Sequence, residues 1–357
     1  MPSPSSSTSI SVLLFNTTHA MRYPVVRGPE QWSDPNDLST AFGSLFQEIG
    51  KGGPHVVFLQ EADVNAFRSG KNFQQPGSDA VGTVNHAAVL VEALDRASGD
   101  RGSAVFGPAF ALQERSRIRE GETQGCVGNI IGVRHGILSH PDGRQRDPLV
   151  VSLDFEGFAY DVNAPTRHES RSLTIARWIP NPGEHGILLA TTTLELSSPE
   201  LKQLQLRRCT ELLRTLSDQT GCPVLFGGHL NIKPYDRNAV PALGGLLDEW
   251  SIGYPPPELR TPEAESTHPA LTTHRRHNIV QAYLAHDNSR SSDNATLRSS
   301  GAPKVIDGAY VDGDVSVSQH RPLLQVYQMT TREHDLVASS EIPTGTRTLP
   351  LPSPNIS

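Results

Sequence analysis

Polar side chains stand where several predicted strands end, and these are the residues that could do chemistry. The clearest case is the segment 222–231, an apolar run that ends in Gly227 and Gly228 and then presents His229 and Asn231. Positions i and i+2 of a strand face the same way, and glycines allow a close approach, so this segment predicts the floor of a site. An ordinary turn after a strand would leave the same pattern. The other polar residues at predicted strand ends are Asn16, Glu61, Asp307, Gln319 and His320, and Asn129 begins a further strand.

The composition narrows the class of protein. The chain has 357 residues with a formal net charge of −7. This acidic balance disfavours a generally basic nucleic-acid binder, so we expect a small-molecule substrate rather than nucleic acid. Three cysteines are too few for a disulfide framework, which predicts a reduced compartment and a cytoplasmic location. No apolar run approaches the ~18 residues of a membrane helix, so we expect no membrane insertion.

The periodicity of apolar residues predicts one domain, residues 10–335, between two loose ends. Residues 1–9 read as a disordered leader and residues 336–357 as a flexible Pro/Ser/Thr-rich tail. Strands and helices do not alternate strictly, which favours an α/β fold of two mostly antiparallel sheets packed face to face with outer helices. The predicted helices are 34–49, 81–94, 201–216 and 240–247; the predicted strands include 11–15, 56–59, 129–133, 172–179, 186–192, 305–311 and 322–329; and 251–294 reads as loop.

Seven segments together resemble the endonuclease/exonuclease/phosphatase superfamily, which has the DNase I-like fold. They follow the family's order, and the Leu-Gln-Glu and Ser-x-His-Arg-Pro-Leu segments are the most specific. The resemblance implies a four-layered α/β sandwich and hydrolysis of phosphodiesters or phosphomonoesters with Mg²⁺. The segments are 12–16, 57–61, 128–131, 190–194, 227–231, 306–307 and 318–323.

Carried over by position, the resemblance implies roles for individual polar residues. Asn16 and Glu61 match the pair on the metal side, and Asn231 matches an Asn that orients the phosphate. Asp307 and His320 match an Asp-His dyad. In such a dyad the carboxylate fixes the imidazole tautomer and raises its basicity.

Three positions depart from the family's pattern. His229 stands where the family has Asp, Gln319 where it has a metal-side Asp, and Thr193 where it has His. Mg²⁺ prefers oxygen ligands and is poorly held by imidazole. We therefore expect no cofactor, or at most a divalent Mg, Mn or Zn ion at Glu61. Losing a positioned acid/base group typically lowers a rate by about 10²–10⁴-fold, so ordinary hydrolysis should be weakened.

The residues that are left suit metal-independent acid/base chemistry on a small molecule. A metal-dependent phosphoesterase with an altered metal site and a non-catalytic binding protein are the alternatives. Arg171 precedes a predicted strand and is expected to be solvated, with an anion contact as the other interpretation. The predicted catalytic residues are His320, Asp307, His229 and Asn231, and the predicted substrate contacts are Asn16, Asn129, Thr193 and Gln319.

Overall fold

Two sheets of seven strands each lie face to face in the computed structural model, and helices cover the outer face of each sheet. The structure describes residues 5–17, 21–24, 31–32, 35–66, 84–111, 126–143, 147–160, 168–182, 184–261, 282–288, 295–306, 315–316, 318 and 320–332. The helices are α1 (Pro35–Ile49), α2 (His86–Ser98), α3 (Pro199–Thr220) and α4 (Pro241–Glu249). The strands are β1 (Ser5–Asn16), β2 (Met21–Pro24), β3 (Gln31–Trp32), β4 (Val56–Ala66), β5 (Val84–Asn85), β6 (Ser103–Ala111), β7 (Cys126–Val133), β8 (Ile137–Ser139), β9 (Leu149–Ser152), β10 (Ser172–Ile179), β11 (Ile187–Thr193), β12 (Val224–His229), β13 (Ser251–Tyr254), β14 (Ala282–Asp287), β15 (Ala295–Val305), β16 (Val315–Ser316) and β17 (Leu323–Arg332).

The strand order confirms the predicted sandwich. The first sheet runs β15-β17-β1-β4-β7-β6, with β5 against β4, and the second runs β13-β14-β12-β11-β10-β8, with β9 against β10. The pairs β1–β4 and β11–β12 are parallel, and the other pairs of described strands are antiparallel. A small third sheet joins β16, β2 and β3.

The central strands are apolar in continuous runs because both of their faces are buried. In β1, Val12 and Leu14 pack between the two sheets, while Leu13 and Phe15 pack against the layer of α1 and α2. The second sheet alternates in the same way and buries its outer face under α3 and α4. Successive side chains of a strand point to opposite faces, so each such run serves two cores at once. The result is four layers: helices, sheet, sheet, helices.

Helix α3 shows how local sequence sets the element boundaries. Ser198 is the N-cap, and its side chain accepts a hydrogen bond from the backbone N–H of Leu201 at 3.2 Å. Gly221 ends the helix in the left-handed region with φ 64°, where a side chain would be strained. The predicted helix 201–216 is confirmed and is a few residues longer at each end.

The structure corrects several predicted boundaries, among them the helix predicted at 81–94, which begins at His86 and ends at Ser98. Residues 5–9, assigned above to a disordered leader, belong to β1 and pair with β17, because backbone ladder bonds do not require apolar side chains. The segment 251–294 contains β13 and β14, whose buried members include Tyr254 and Tyr283. The strand predicted at 305–311 ends at Val305 instead and begins at Ala295. Residues 1–4 and 333–357 lie outside the described residues.

The described helices also bear on the membrane prediction. None of them combines the length and the apolar character that crossing a bilayer requires.

Candidate active site

Strand alternation directs several polar side chains into the gap between the sheets at one edge of the sandwich. In β12, Leu225 packs between the sheets, so His229, four positions on, takes the same face. In β11, Thr191 and Thr193 share the face of Leu189. Gln60 of the opposite sheet donates from Nε2 to Thr191 Oγ1 at 2.8 Å, which ties the two sheets together at this level.

The glycines of the segment 222–231 have a different purpose from the one predicted. A Cβ on Gly227 would lie 2.5 Å from a ring carbon of Phe58 in the facing sheet. A Cβ on Gly228 would lie 2.9 Å from the carbonyl oxygen of Thr192 in the neighbouring strand. These glycines therefore let Phe58 of the facing sheet and the neighbouring strand pack closely against β12. This close packing sets how far His229 lies inside the sandwich.

His229 and His320 form the centre of the site. Their ring centroids are 4.2 Å apart and their planes meet at 80°, so the edge of one imidazole meets the face of the other. His229 is 3% exposed and His320 is 8% exposed. Two imidazoles in contact and largely removed from water cannot both take a positive charge without strong repulsion.

Asn16, at the end of β1, fixes the protonation pattern of His229. Its amide nitrogen Nδ2 makes a short contact with His229 Nδ1. An amide nitrogen can only donate, so Nδ1 must accept and a neutral His229 carries its proton on Nε2. In this arrangement the amide nitrogen of Asn16 orients the imidazole, and a substrate contact by Asn16 stays a prediction.

Ser318 places His320 beside His229. The buried Ser318 hydroxyl donates to the carbonyl oxygen of Asn16 at 2.5 Å. The oxygen of the Ser318 hydroxyl also accepts the backbone N–H of His320 at 3.0 Å. The end of β1 and the Ser-x-His segment are thus joined through a single hydroxyl, which explains why a small hydroxyl residue precedes the histidine by two positions.

Asn231 does not continue the face of His229, because β12 ends at His229. Asn231 has φ 55° and donates from Nδ2 to the carbonyl oxygen of Leu194 at 2.8 Å. Its backbone carbonyl oxygen accepts a hydrogen bond from Nζ of Lys202 at 2.7 Å. Burial lowers the pKa of Lys202, against the opposing effect of Glu195 and Asp236. A catalytic role for Asn231 stays a prediction.

Glu61 stands on a β-bulge and not at a strand end as the sequence predicted. The pairing of β4 with β7 shifts register between Leu59 and Ala62, and Glu61 has φ 52°. Thr17 stabilises this conformation by donating from Oγ1 to the carbonyl oxygens of Gln60 and Glu61, at 3.1 and 3.0 Å. A bulge redirects a side chain, and left-handed backbone at a non-glycine residue is common at functional sites.

A small, partly open cleft lies beside the histidine pair and has room for about one water molecule. Thr193 pairs in register with His229 on the neighbouring strand, so the cleft and the histidines are adjacent. Asn129 donates from Nδ2 to the carbonyl oxygen of Ser172 at 3.1 Å, which orients one wall. The lining residues are Glu61, Ala109, Val127, Gly128, Asn129, Arg171, Ser172 and Thr193.

Arg171 is the residue in this cleft that the sequence prediction missed. It was expected to be solvated, but it is 7% exposed and lines the cleft directly before β10. The antiparallel pairing of Leu173 with Thr192 brings the start of β10 level with the end of β11. This strand pairing would have predicted that Arg171 lies at the cleft, but the pairing can be known only from the order of the strands in the sheet.

Glu195 is a buried carboxylate whose charge interacts with that of Arg171 in the cleft. Its Oε1 accepts the backbone N–H and hydroxyl of Ser197 at 3.0 and 2.8 Å, and lies 3.2 Å from His168 Nδ1. Burial raises the pKa of Glu195, but the bonds from Ser197, then His168 and the charge of Arg171, outweigh it and leave the pKa below its usual range. Glu195 is therefore a carboxylate whose Oε1 already accepts hydrogen bonds from other residues of the protein.

The described residues do not fit the magnesium site that the family resemblance implies. Glu61 is the one carboxylate lining the cleft, and His229 uses Nδ1 toward Asn16. Within the ranges that the structure describes, no three His, Cys, Asp or Glu residues are grouped so as to hold a metal. Mg²⁺ needs near-octahedral oxygen coordination, so this donor set suits proton transfer better than magnesium binding.

The predicted site residues thus fall into four groups. Asn16, His229 and His320 are in contact. Asp307 and Gln319 lie outside the described residues. Glu61, Asn129 and Thr193 line the cleft, and Asn231 lies beyond the end of β12.

Comparison with known proteins supports the fold. No protein-family model matches the chain, and no curated protein matches it. Three solved structures resemble it over most of their length. An endonuclease/exonuclease/phosphatase family protein from Bacteroides thetaiotaomicron is 9% identical, with a TM-score of 0.52 over 91% of this chain and 96% of that chain. A mannosyl-6-phosphatase from the same organism is 8% identical, with a TM-score of 0.52 over 88% and 98%.

The third is a D. rerio TDP2 humanized by 14 mutations, which is 14% identical with a TM-score of 0.51 over 89% of this chain and 98% of that chain. At these identities the likeness concerns the fold, and it agrees with the two sheets and outer helices described above. The resemblance predicted from the sequence segments is confirmed at that level: the chain has the DNase I-like fold of the endonuclease/exonuclease/phosphatase superfamily.

Proposed function

We propose that this chain is an enzyme that performs metal-independent acid/base chemistry on a small molecule through His320, Asp307 and His229. The observation that carries the proposal is the edge-to-face contact of the two buried imidazoles, 4.2 Å between centroids. The fold supports a hydrolase-like reaction, since one protein that shares it is a mannosyl-6-phosphatase. The net charge of −7 favours a small substrate over nucleic acid.

The tautomer of His229 suggests how the pair divides its roles. With Nδ1 accepting from Asn16, neutral His229 holds its proton on Nε2 and donates a hydrogen bond that stabilises negative charge on the reacting group. His320 takes a proton from the attacking water as the general base and then, as the imidazolium, gives that proton to the leaving group. Asp307 is proposed to orient His320, as a carboxylate does in an Asp-His dyad.

The pair also offers a way to return to its starting state. Once His320 has passed its proton to the leaving group, both imidazoles are neutral again, as they were at the start. Ser318 holds His320 in place and Asn16 holds His229 in place throughout the reaction.

The proposal is tested by measuring hydrolysis of 4-nitrophenyl phosphate and bis(4-nitrophenyl) phosphate by the full chain, with chelator and then with Mg²⁺ or Mn²⁺. We expect turnover in chelator that falls by about 10²–10⁴-fold in His320→Gln and in His229→Gln, the usual effect of removing an acid/base group. The matched control is His286→Gln, which also removes a buried imidazole. His286 pairs with Leu225, four residues before His229, so it lies about 13 Å away along the strand.

Each other outcome points to a specific alternative. Turnover that appears only with Mg²⁺ or Mn²⁺ would contradict metal independence and favour a phosphoesterase with an altered metal site. Turnover of neither ester in any condition would favour a non-catalytic binding protein. A D. rerio TDP2 with this fold has been described with a single-strand DNA product, so a short DNA strand belongs among the probes, and preference for it would refute the small-molecule assignment.

A further inference from the structure

We propose that Lys202, near the start of α3, is a positioning residue of the site, because its buried ammonium holds the main chain of Asn231 just beyond the end of β12. The effect of Lys202 on turnover rests on the proposed function, whereas its hold on the main chain does not. Two observations carry the proposal: a buried cation that is bonded to a main-chain carbonyl, and a left-handed residue at that carbonyl.

The buried face of α3 carries two polar side chains among apolar ones. Lys202 is 9% exposed, and Gln205, one helical turn further on, is fully buried. Gln205 Oε1 accepts the backbone N–H of Glu195 at 2.9 Å. Lys202 Nζ donates to the carbonyl oxygen of Asn231 at 2.7 Å. The helix is therefore joined through these two side chains to the segments that follow β11 and β12. The apolar residues buried on this helix are Leu201, Leu206, Cys209 and Leu213.

The ammonium of Lys202 is bonded to a main-chain carbonyl and not to a carboxylate. The bond to Asn231 is the one hydrogen bond that the described part of the chain provides for it, while Glu195 and Asp236 act on it through their charges. Burial lowers the pKa of Lys202 more than these two charges raise it. Removal from water therefore costs the cation more than the nearby charges return, so a gain in fold stability does not account for this contact.

The backbone of Asn231 explains what the ammonium stabilises. Its φ of 55° lies in the left-handed region, which residues other than glycine occupy at a cost. Strand β12 ends at His229, so ladder bonds of the sheet do not hold Asn231. Its side chain donates from Nδ2 to the Leu194 carbonyl, and its own carbonyl accepts from the ammonium. The amide keeps a second Nδ2 proton that a substrate could accept.

Neutral groups hold the residues on either side of Asn231. The carbonyl oxygen of His229 accepts the backbone N–H of Leu194 at 3.0 Å, and that of Ile232 accepts the hydroxyl of Tyr283 at 2.8 Å. A charged donor makes a stronger hydrogen bond than a neutral one, so the ammonium is the strongest of these contacts. Loss of the ammonium should loosen Asn231 and, through the Leu194 carbonyl, the Leu194 N–H bond to His229, without unfolding the sheet.

The experiment measures amide hydrogen exchange and turnover of 4-nitrophenyl phosphate by the full chain in chelator. Lys202→Met keeps an unbranched chain and removes the charge. We expect its Leu194 amide to exchange about tenfold faster or more, while the amide of Ile131, buried in β7, exchanges as in the wild type. We also expect kcat to fall about tenfold or more, KM to change less than about twofold, and the thermal midpoint to stay within about 3 °C. Lys202→Arg keeps a charged donor and should lose less activity.

Lys304→Met is the matched control, because it removes the same charge from an exposed position on β15. The proposal is overturned if Lys202→Met leaves either the Leu194 exchange or kcat unchanged, or if Lys304→Met lowers kcat equally. A fall of the thermal midpoint together with faster Ile131 exchange would show a merely structural role and overturn it as well. Should Lys202→Met fail to fold, Lys202→Gln carries the same decision. If the wild type hydrolyses neither test ester, the proposed function fails, and the Leu194 exchange alone decides whether Lys202 holds Asn231.

Discussion

His286 should make the stability of this protein fall as the pH drops from 7 to 5. It is 3% exposed and packs edge-on against the ring of Tyr327, with centroids 5.4 Å apart and planes at 82°. Burial lowers its pKa from 6.5 to about 4, against smaller opposing effects of a hydrogen bond to the Leu297 backbone and the charge of Asp287. Replacing it by Gln, which does not titrate, removes this dependence.

The sign and size of the effect follow from proton binding to the two states. At pH 5 this imidazole is about 97% protonated in the unfolded chain and about 10% protonated in the folded chain. The unfolded state therefore binds more protons between pH 6.5 and 4, and stability falls as the pH falls through that window. The loss at pH 5 is about 2 kcal/mol, and at pH 7 it is only about 0.2 kcal/mol.

Urea unfolding of the wild type and of His286→Gln at pH 7 and at pH 5 measures this directly. The loss of unfolding free energy between the two pH values should be smaller by about 2 kcal/mol in His286→Gln than in the wild type. Tyr327→Phe is the control, since it keeps the imidazole and an aromatic ring beside it and removes a buried hydroxyl that has no hydrogen-bond partner among the described residues. Equal pH dependence in the wild type and His286→Gln would refute the reasoning.

Two further predictions concern the placement of the site. Ser318→Ala should lower turnover by about tenfold or more, because His320 loses the hydrogen bonds that position it, and Ser318→Thr should keep part of the activity. A changed pH–rate profile together with an unchanged thermal midpoint would show that Ser318 positions His320 and does not merely stabilise the fold. Gly227→Ala should lower the unfolding free energy by about 1–3 kcal/mol, because its Cβ would meet Phe58. Gly244→Ala, inside α4 with nothing within 4 Å of the new Cβ, should raise it by about 0.5–1 kcal/mol, and the reverse order would contradict the packing argument.

Much of the fold could be predicted from local pattern. The continuous apolar runs at 12–15 and 56–59 predict strands buried on both faces, and capping at Ser198 and Gly221 predicts α3. The bulge at Glu61 could not be predicted this way, because its φ of 52° depends on pairing with β7 and on the hydroxyl of Thr17. The pairing of Ser5–Ser9 likewise depends on β17, more than 300 residues away in sequence.

The sequence by itself determined the chemistry available at the site: an imidazole where the family has a carboxylate at His229, a second imidazole at His320, and a single clear carboxylate at Glu61. Only the tertiary structure decided how these groups are arranged. It placed the two imidazoles in contact, set the tautomer of His229 through Asn16, and buried Arg171 in the cleft. Residue type fixes which ionisable groups are present. The distances between these groups and their burial decide how they interact, and these depend on strands brought together from distant parts of the chain.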